Sequence, residues 1–369
     1  MIPIIFAINN TYVKQLATVI ASILKNNNTK NSYEFNILSS DISSDNKFTL
    51  QKFVTKLSKS KSKINFVNMK EILKDVDLEK YMSRRDDYKY ISIETYFRFF
   101  IPELFSNYKK VLYLDADILV FQDLSEFYNE DISDYYAGVI QDTVLEVFIE
   151  DKNIKTRTKP ERDYKTYFTE KLHKTTNNYF NAGVLLLNLE KIREENAIES
   201  LWNFTIKESP LEFQDQDVLN SVWEKRVKYV DYKWNTLKDL NWFATQIKNK
   251  EKRKILLKTY EKPGIFHYVG SNKPWLIHDI NYKYNFIKEW WNYYKLTPYF
   301  KRKELNILKH AMWMQKNWGF KCYITIRVLD FVFLDIYEDV GRLNFKILNF
   351  LKTYIRYKEP KSYTKIKSI

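Results

Sequence analysis

The chain of 369 residues holds only six glycines, at positions 138, 183, 264, 270, 319 and 341. None lies between the first apolar run and the helix-patterned stretch that follows it, so there is no G-x-G-x-x-G and no Walker-type loop. That excludes a glycine-rich phosphate cradle. A nucleotide-binding protein built this way needs another means of neutralising a diphosphate, and a metal ion is the obvious one. Cysteine is scarcer still. Cys322 stands alone, which excludes an internal disulfide and leaves oxygen and nitrogen as the ligands for any metal chemistry. Long hydrophobic runs are missing too: stretches such as AGVLLLNL at 182–189 fall well short of the roughly 20 residues of a membrane-spanning helix. The opening MIPIIFAI has no basic leader, and Asn9 and Asn10 break its apolar run. We therefore expect no secretory signal and, with a single cysteine, a cytoplasmic protein.

What is present is apolar and basic. Hydrophobic residues make up 45% of the chain, enough for a sizeable core, and the formal net charge is +14. Such a charge points to a polyanionic partner: nucleic acid, anionic lipid or a phosphorylated glycan. Most of the excess is at one end, because 296–369 carries 15 Lys and Arg against 6 Asp and Glu.

The apolar runs at 2–8, 33–39, 64–69, 109–114 and 179–189 read as buried strands, with a last strand-like segment at 264–270. Helical spacing follows the first at Leu16, Val19, Ile20, Ile23 and Leu24, and returns at 92–104, 190–207 and 215–225. This alternation predicts an α/β fold with a largely parallel sheet covered by helices. Residues 141–178 are polar and weakly periodic, which reads as a long active-site loop or lid more than as core. A soft boundary near 285 separates a catalytic region, 1–285, from an aromatic, basic and helical one, 286–369.

KKVLYL at 109–114 runs straight into Asp115, Ala116 and Asp117. In an extended strand end, residues two apart face the same side, so both carboxylates can meet at one point. A hard divalent cation such as Mg or Mn would relieve their repulsion; the alternative is a solvated pair at a strand-to-turn boundary. His267, at the end of its own strand-like run, is the candidate third ligand, since imidazole joins carboxylates readily on Mn. His173, His278 and His310 read as structural. Lys273, beside Pro274 and Trp275, either meets a phosphate or is solvated. Asp215, Gln216 and Asp217 fall at a predicted helix start, where they either cap it or recognise sugar hydroxyls, as Asn181 and Arg98 also can.

Six segments occur in order: FAINNTY at 6–12, ISIETYFRF at 91–99, VLYLDADILV at 111–120, YFNAGVLLLNL at 179–189, FQDQDVLN at 213–220 and HYVGSNKPW at 267–275. Together they resemble glycosyltransferase family eight, with its bacterial lipopolysaccharide galactosyl- and glucosyltransferases, over about residues 3–290. The resemblance implies a Rossmann-like glycosyltransferase A-type (GT-A) fold, a Mn-bound (or Mg-bound) UDP-sugar and transfer of galactose or glucose with retention. It makes Asp115, Asp117 and His267 metal ligands. Ala7, Asn9 and Tyr12 would surround the uridine, Ala116 would line the donor site, and Gly270 and Lys273 would meet the diphosphate. Arg98, Asn181, Ala182, Asp215 and Gln216 would hold the donor sugar, and Asp142, after AGVIQ, would meet the acceptor. Asn9 and Asn10 stand where many members carry acidic residues, but an asparagine can still hydrogen-bond both edges of a uracil imide. Gln216 stands where a nucleophile would be sought. An amide is a poor one, which favours front-face attack by the acceptor.

Two other classes remain open to the residues alone: a metal-dependent nucleotidyltransferase or phosphohydrolase, and a non-enzymatic scaffold whose basic tail binds RNA or membrane. The resemblance favours a glycan acceptor over nucleic acid. In the tail, Leu343, Ile347, Leu351, Tyr354 and Ile355 recur at helical spacing, opposite Arg342, Lys346, Asn349, Lys352 and Arg356. This predicts a basic amphipathic helix that either packs on the catalytic region or rests on the inner face of the cytoplasmic membrane.

Overall fold

A computed structural model describes residues 1–59, 61–82, 92–150, 164–270, 273–276 and 286–306, and the backbone of four strands between 321 and 356. The chain divides into two units: Met1–Val269 with Leu296–Pro298, and Gly270–Lys295 with Tyr299–Ile369. The division thus falls some fifteen residues before the expected boundary at 285.

The first unit is built on a seven-stranded sheet. Its strands are β1 (Ile2–Ala7), β2 (Tyr33–Ser39), β3 (Lys63–Asn68), β4 (Lys110–Leu114), β6 (Ala137–Gln141), β7 (Phe180–Asn188) and β8 (Val227–Tyr229), in the order β3-β2-β1-β4-β7-β6-β8. Every pairing is parallel except those of β7, which runs antiparallel to β4 and β6. The continuous apolar runs have the burial expected of a sheet covered on both faces: Ile4, Ile5 and Phe6 in β1 and Val111, Leu112 and Leu114 in β4 are wholly enclosed. Helix α1 (Val13–Lys25) buries Leu16, Val19 and Ile20, and α2 (Ser44–Leu57) is capped by the Ser43 hydroxyl accepting from Asn46 N–H.

A smaller three-stranded sheet, β5-β10-β9, joins β5 (Ile118–Val120), β9 (Thr236–Leu237) and β10 (Ile265–His267). Strands β5, β8 and β9 are too short to leave a periodic signal. The polar stretch 141–178 is not simply a loop. The helix Thr143–Glu150 sends Leu145 and Ile149, one turn apart, into the core beside Tyr164 and Phe168. Residues 151–163 lie outside the described residues.

The tail departs most from expectation. Where an amphipathic helix is predicted, the backbone forms an antiparallel sheet of β11 (Lys321–Val328), β12 (Phe331–Asp339), β13 (Arg342–Ile347) and β14 (Leu351–Arg356). Register pairs Leu343 with Ile355, Phe345 with Thr353 and Ile347 with Leu351. The sequence alternates at period two in β13, RLNFKI, and the Ile, Phe, Tyr and Thr content of the four strands favours the pleated form. Asn349 lies outside the described residues. The helix expected after 285 is real but short, Ile287–Tyr294, and is held by an aromatic cluster of Trp275, Trp290, Trp291 and Tyr294. No helix among the described residues is long and apolar enough to cross a membrane.

Candidate active site

Asp115 and Asp117 occupy the turn between β4, in the large sheet, and β5, in the small one. Strand β10 pairs antiparallel with β5, bringing His267 opposite Ile118, and Tyr268 N–H bonds the Asp117 carbonyl at 2.9 Å. One ligand atom from each of Asp115, Asp117 and His267 then lies within 4.8 Å of the others. His267 Nε2 is 3.1 Å from Asp117 Oδ1 and 3.9 Å from Asp115 Oδ2. The two carboxylates keep part of their surface open, while the imidazole is buried.

Asp115 is aimed. Tyr113, two residues earlier on the same side of β4, donates its hydroxyl to Oδ1 at 2.9 Å, and an Arg98 nitrogen lies 3.4 Å from that oxygen. Oδ2 is left to face His267. Room for the cluster comes from Gly183 in β7. A Cβ there would fall 2.6 Å from Asp115 Oδ2, and closer still to the His267 ring. A glycine inside a strand marks such close approach, and here it keeps clear the space where the three ligand atoms meet.

Around Gly183 the β6–β7 ladder is irregular, with a register shift between Gly138 and Ile140. Side chains therefore satisfy N–H groups that a ladder would otherwise use. Gln216 Oε1 accepts from Ala182 N–H at 2.9 Å, and Asn181 Oδ1 accepts from Gly183 N–H at 3.1 Å. Arg98, on the 3-10 helix Ile93–Phe100, bonds the Ala182 carbonyl and lies 4.3 Å over the Tyr113 ring. Its Nε sits 2.9 Å from Asp215 Oδ2 but directs its N–H to the Thr95 carbonyl, so the Asp215 contact is coulombic. Thr95 donates its hydroxyl to the other Asp215 oxygen.

The expected residues thus separate by position. Arg98, Asp115, Asp117, Asn181, Ala182, Asp215, Gln216 and His267 come together, with Ala116 carried between the two aspartates. Tyr12 belongs with them: burial raises its phenol pKa, and the charges of Asp117 and Asp115 raise it further. Ala7 ends β1, and Asn9 caps the turn after it, accepting from Thr11 N–H at 3.1 Å. Asn10 is structural, accepting from Asn46 at 2.8 Å and Ser43 at 3.2 Å. Asp142 is buried. It caps the helix Thr143–Glu150 through Val144 and Leu145 N–H and accepts from Asn181 at 3.4 Å. Gly270, with φ +67°, and Lys273, buried and 5.9 Å from the Trp275 ring, belong to the second unit. His173 meets Glu208 at 3.3 Å and is structural as expected; His278 and His310 lie outside the described residues.

Neither Asp215 nor Asp217 caps its helix, Asp215–Val222, in the simple sense expected. Asp217 locks the preceding turn, accepting from Tyr179 and Tyr167 hydroxyls at 2.6 and 2.8 Å and from Phe213 N–H at 2.7 Å. Gln214, at the bend, takes φ +53° and ψ −126°, backbone that a non-glycine residue rarely holds. Burial raises the Asp215 and Asp217 pKa values to about 6 against the lowering effect of these partners. Tyr113, Gly183 and Asn235 are the site residues that sequence reasoning passed over. Of these only Gly183 left a signal, a lone glycine inside an apolar strand.

A seven-stranded, mostly parallel sheet carrying Asp-x-Asp and His at the end of a central strand is the frame of a GT-A glycosyltransferase. The WbbM bifunctional glycosyltransferase has this fold: the two share 25% identity with a TM-score of 0.69, over 84% of this chain and 52% of that one, about half its length. A sequence model of glycosyl transferase family 8 matches residues 3–279, and the chain belongs to that family. A putative glycosyltransferase of Haemophilus influenzae is 32% identical over 273 residues, 74% of this chain and 72% of the relative. A lipopolysaccharide 1,3-galactosyltransferase of Salmonella typhimurium is 31% identical over 189 residues, 49% of each chain.

Two outcomes follow from this geometry. Gly183→Ala will lower glycosyl transfer at least about 100-fold, since the added methyl displaces Asp115 or His267; activity within threefold of wild type would show that the ligands need no such space. For Asp217, a folded-state pKa of about 6 lies above the ordinary 3.8 of the unfolded chain. Its contribution to stability is full below about pH 4 and is lost as pH rises through 6. Asp217→Asn removes that loss, so from pH 4 to 7 the melting temperature of the variant will rise relative to wild type. A constant difference over that range would contradict the assignment.

Proposed function

We propose that this glycosyltransferase is metal-dependent and retaining, and moves galactose or glucose from a UDP-sugar to a bacterial surface glycan such as the lipopolysaccharide core. The observation that carries this is the convergence of Asp115, Asp117 and His267 on one point beside Arg98 and Asp215. The residues fit a cation on two counts: Gly183 leaves the space, and the donor set of two carboxylate oxygens and one imidazole nitrogen suits Mn, with Mg as the harder alternative. When bound, such a cation would stabilise the charge that develops on a departing diphosphate.

In this reading Ala7, Asn9 and Tyr12 receive the uridine, and Ala116 lines the donor site. Arg98, Asn181, Ala182, Asp215 and Gln216 hold the hexose. Arg98 is well suited, because its charge is balanced by Asp215 while its side chain is held over Tyr113. Gln216 is anchored on Ala182 N–H and, as an amide, is a poor nucleophile; front-face attack is the route it favours. Asp142, one hydrogen bond from Asn181, stands on the acceptor side. The lipopolysaccharide acceptor is supported by the Salmonella relative. A basic excess at 296–369 suits attachment to an anionic membrane surface on the cytoplasmic side, by charge and without the helix expected there.

The purified chain with Mn will hydrolyse one UDP-hexose slowly and transfer it rapidly to a truncated lipopolysaccharide. EDTA will stop both and Mn will restore them, and Asp117→Asn will lose at least about 100-fold with an unchanged circular dichroism spectrum. Rapid hydrolysis of plain nucleotides without a glycan, or an Asp117→Asn variant within tenfold of wild type, would overturn the proposal. For the tail, the chain will sediment with anionic vesicles near 0.1 M salt and release above about 0.5 M. Equal binding to neutral vesicles would remove the electrostatic account.

A further inference from the structure

The imidazole of His267 has two nitrogens, and which of them carries the proton decides whether the other can be a ligand. Nε2 faces the two carboxylates. Nδ1 faces Asn235 Oδ1 at 2.9 Å, in a region where both residues are almost wholly buried. The orientation of the Asn235 amide and the tautomer of the imidazole decide which group donates across that contact. Here the surrounding bonds fix both.

The argument starts at Gly183. Its backbone N–H can only donate, and it donates to Asn181 at 3.1 Å, so the Asn181 atom it meets is the carbonyl oxygen. That same oxygen lies 2.9 Å from the side chain of Asn235, so the Asn235 atom facing it must be the NH2 group. The other Asn235 atom, the one facing His267, is then the oxygen, an acceptor. His267 Nδ1 must therefore be the donor and carry the proton. The far end of Asn181 agrees, since its NH2 group faces the Asp142 carboxylate at 3.4 Å. One backbone amide thus sets the direction of every hydrogen bond from β7 to the imidazole.

We infer that Asn235 is a positioning residue that holds His267 with Nδ1–H as its donor and aims Nε2 at the point shared with Asp115 and Asp117. The inference rests on the metal-site reading for its consequence, though not for its geometry. Fold topology puts Asn235 there. It immediately precedes β9, whose parallel pairing with β10 sets Leu237 beside His267, and Lys238 N–H bonds the His267 carbonyl at 2.9 Å. The neighbouring Trp234 anchors the turn: it is buried and stacked on Phe127 at 5.5 Å, with Gly264 leaving room against its ring. With Nδ1 so engaged, Nε2 is the ring nitrogen turned toward Asp117, 3.1 Å away. Outer partners of this kind typically hold about 10–100-fold of metal affinity.

The test uses the full chain. Long-range 15N–1H spectra of the histidine rings will show a proton on Nδ1 of His267, with and without Mg, the signal being assigned by its loss in His267→Gln. Mn affinity, measured by EPR titration, will fall about 10–100-fold in Asn235→Ala. It will be recovered in part in Asn235→Asp, which keeps an acceptor for Nδ1–H but sets an oxygen against Asn181 Oδ1. An unprotonated Nδ1 in the wild type overturns the inference, as does an Asn235→Ala affinity within threefold of wild type. If Asn235→Ala does not fold, the wild-type spectrum and the Asp variant decide. Should the wild type bind no Mn while Nδ1 is protonated, the metal reading falls and the positioning of His267 stands.

Discussion

Two carboxylates and an imidazole nitrogen meet where the large sheet gives way to the small one, and the architecture around them exists to hold that meeting. The charges of Asp115 and Asp117 repel, and they share a buried wall that weakens solvent screening. A bound cation would offset that repulsion. Placement depends on backbone: β10 must pair with β5 to carry His267 across, and β7 must bend away from β6 to put Gly183 beneath the cluster.

A second layer balances the first. Arg98 is the buried cation of the site, held between Asp115 and Asp215 and over the Tyr113 ring. Burial alone would disfavour its charge, but Asp215, Tyr113 and then Asp115 more than offset that and raise its pKa. Asp215 in turn is pushed upward by burial and held back by Arg98. The Arg98–Asp215 pair is close to neutral, whereas Asp115 and Asp117 bring two carboxylates to one point. Asp217 looks in sequence like a third member but serves the fold, bonded to two tyrosine hydroxyls and a backbone N–H.

Much of this was legible because strands impose period two. An apolar run ending in Asp-x-Asp says that both carboxylates share a side, and the β-α-β order says where that strand end lies. Short, near-continuous apolar runs gave β1, β2, β4 and β7 to within a residue or so. That signal failed where elements are too short or their pairing is remote. Asn235 precedes a two-residue strand, and nothing in KWNTL announces that β9 will lie against β10. Asp217 sits in a polar motif that hides its structural role until Tyr167 arrives from the region read as a lid and Tyr179 from the strand run after it. In the tail, positions 343, 347, 351 and 354 satisfy a helical spacing, while 343, 345 and 347 with 351, 353 and 355 satisfy a strand hairpin equally well. β-Branched and aromatic content decided for strands.

Pulsed EPR of the full chain loaded with one equivalent of Mn tests the central claim most directly. A single bound Mn with 14N coupling from one imidazole, abolished in His267→Gln, is the result this account predicts. Mn that binds without nitrogen coupling, or coupling that survives in His267→Gln, would contradict it.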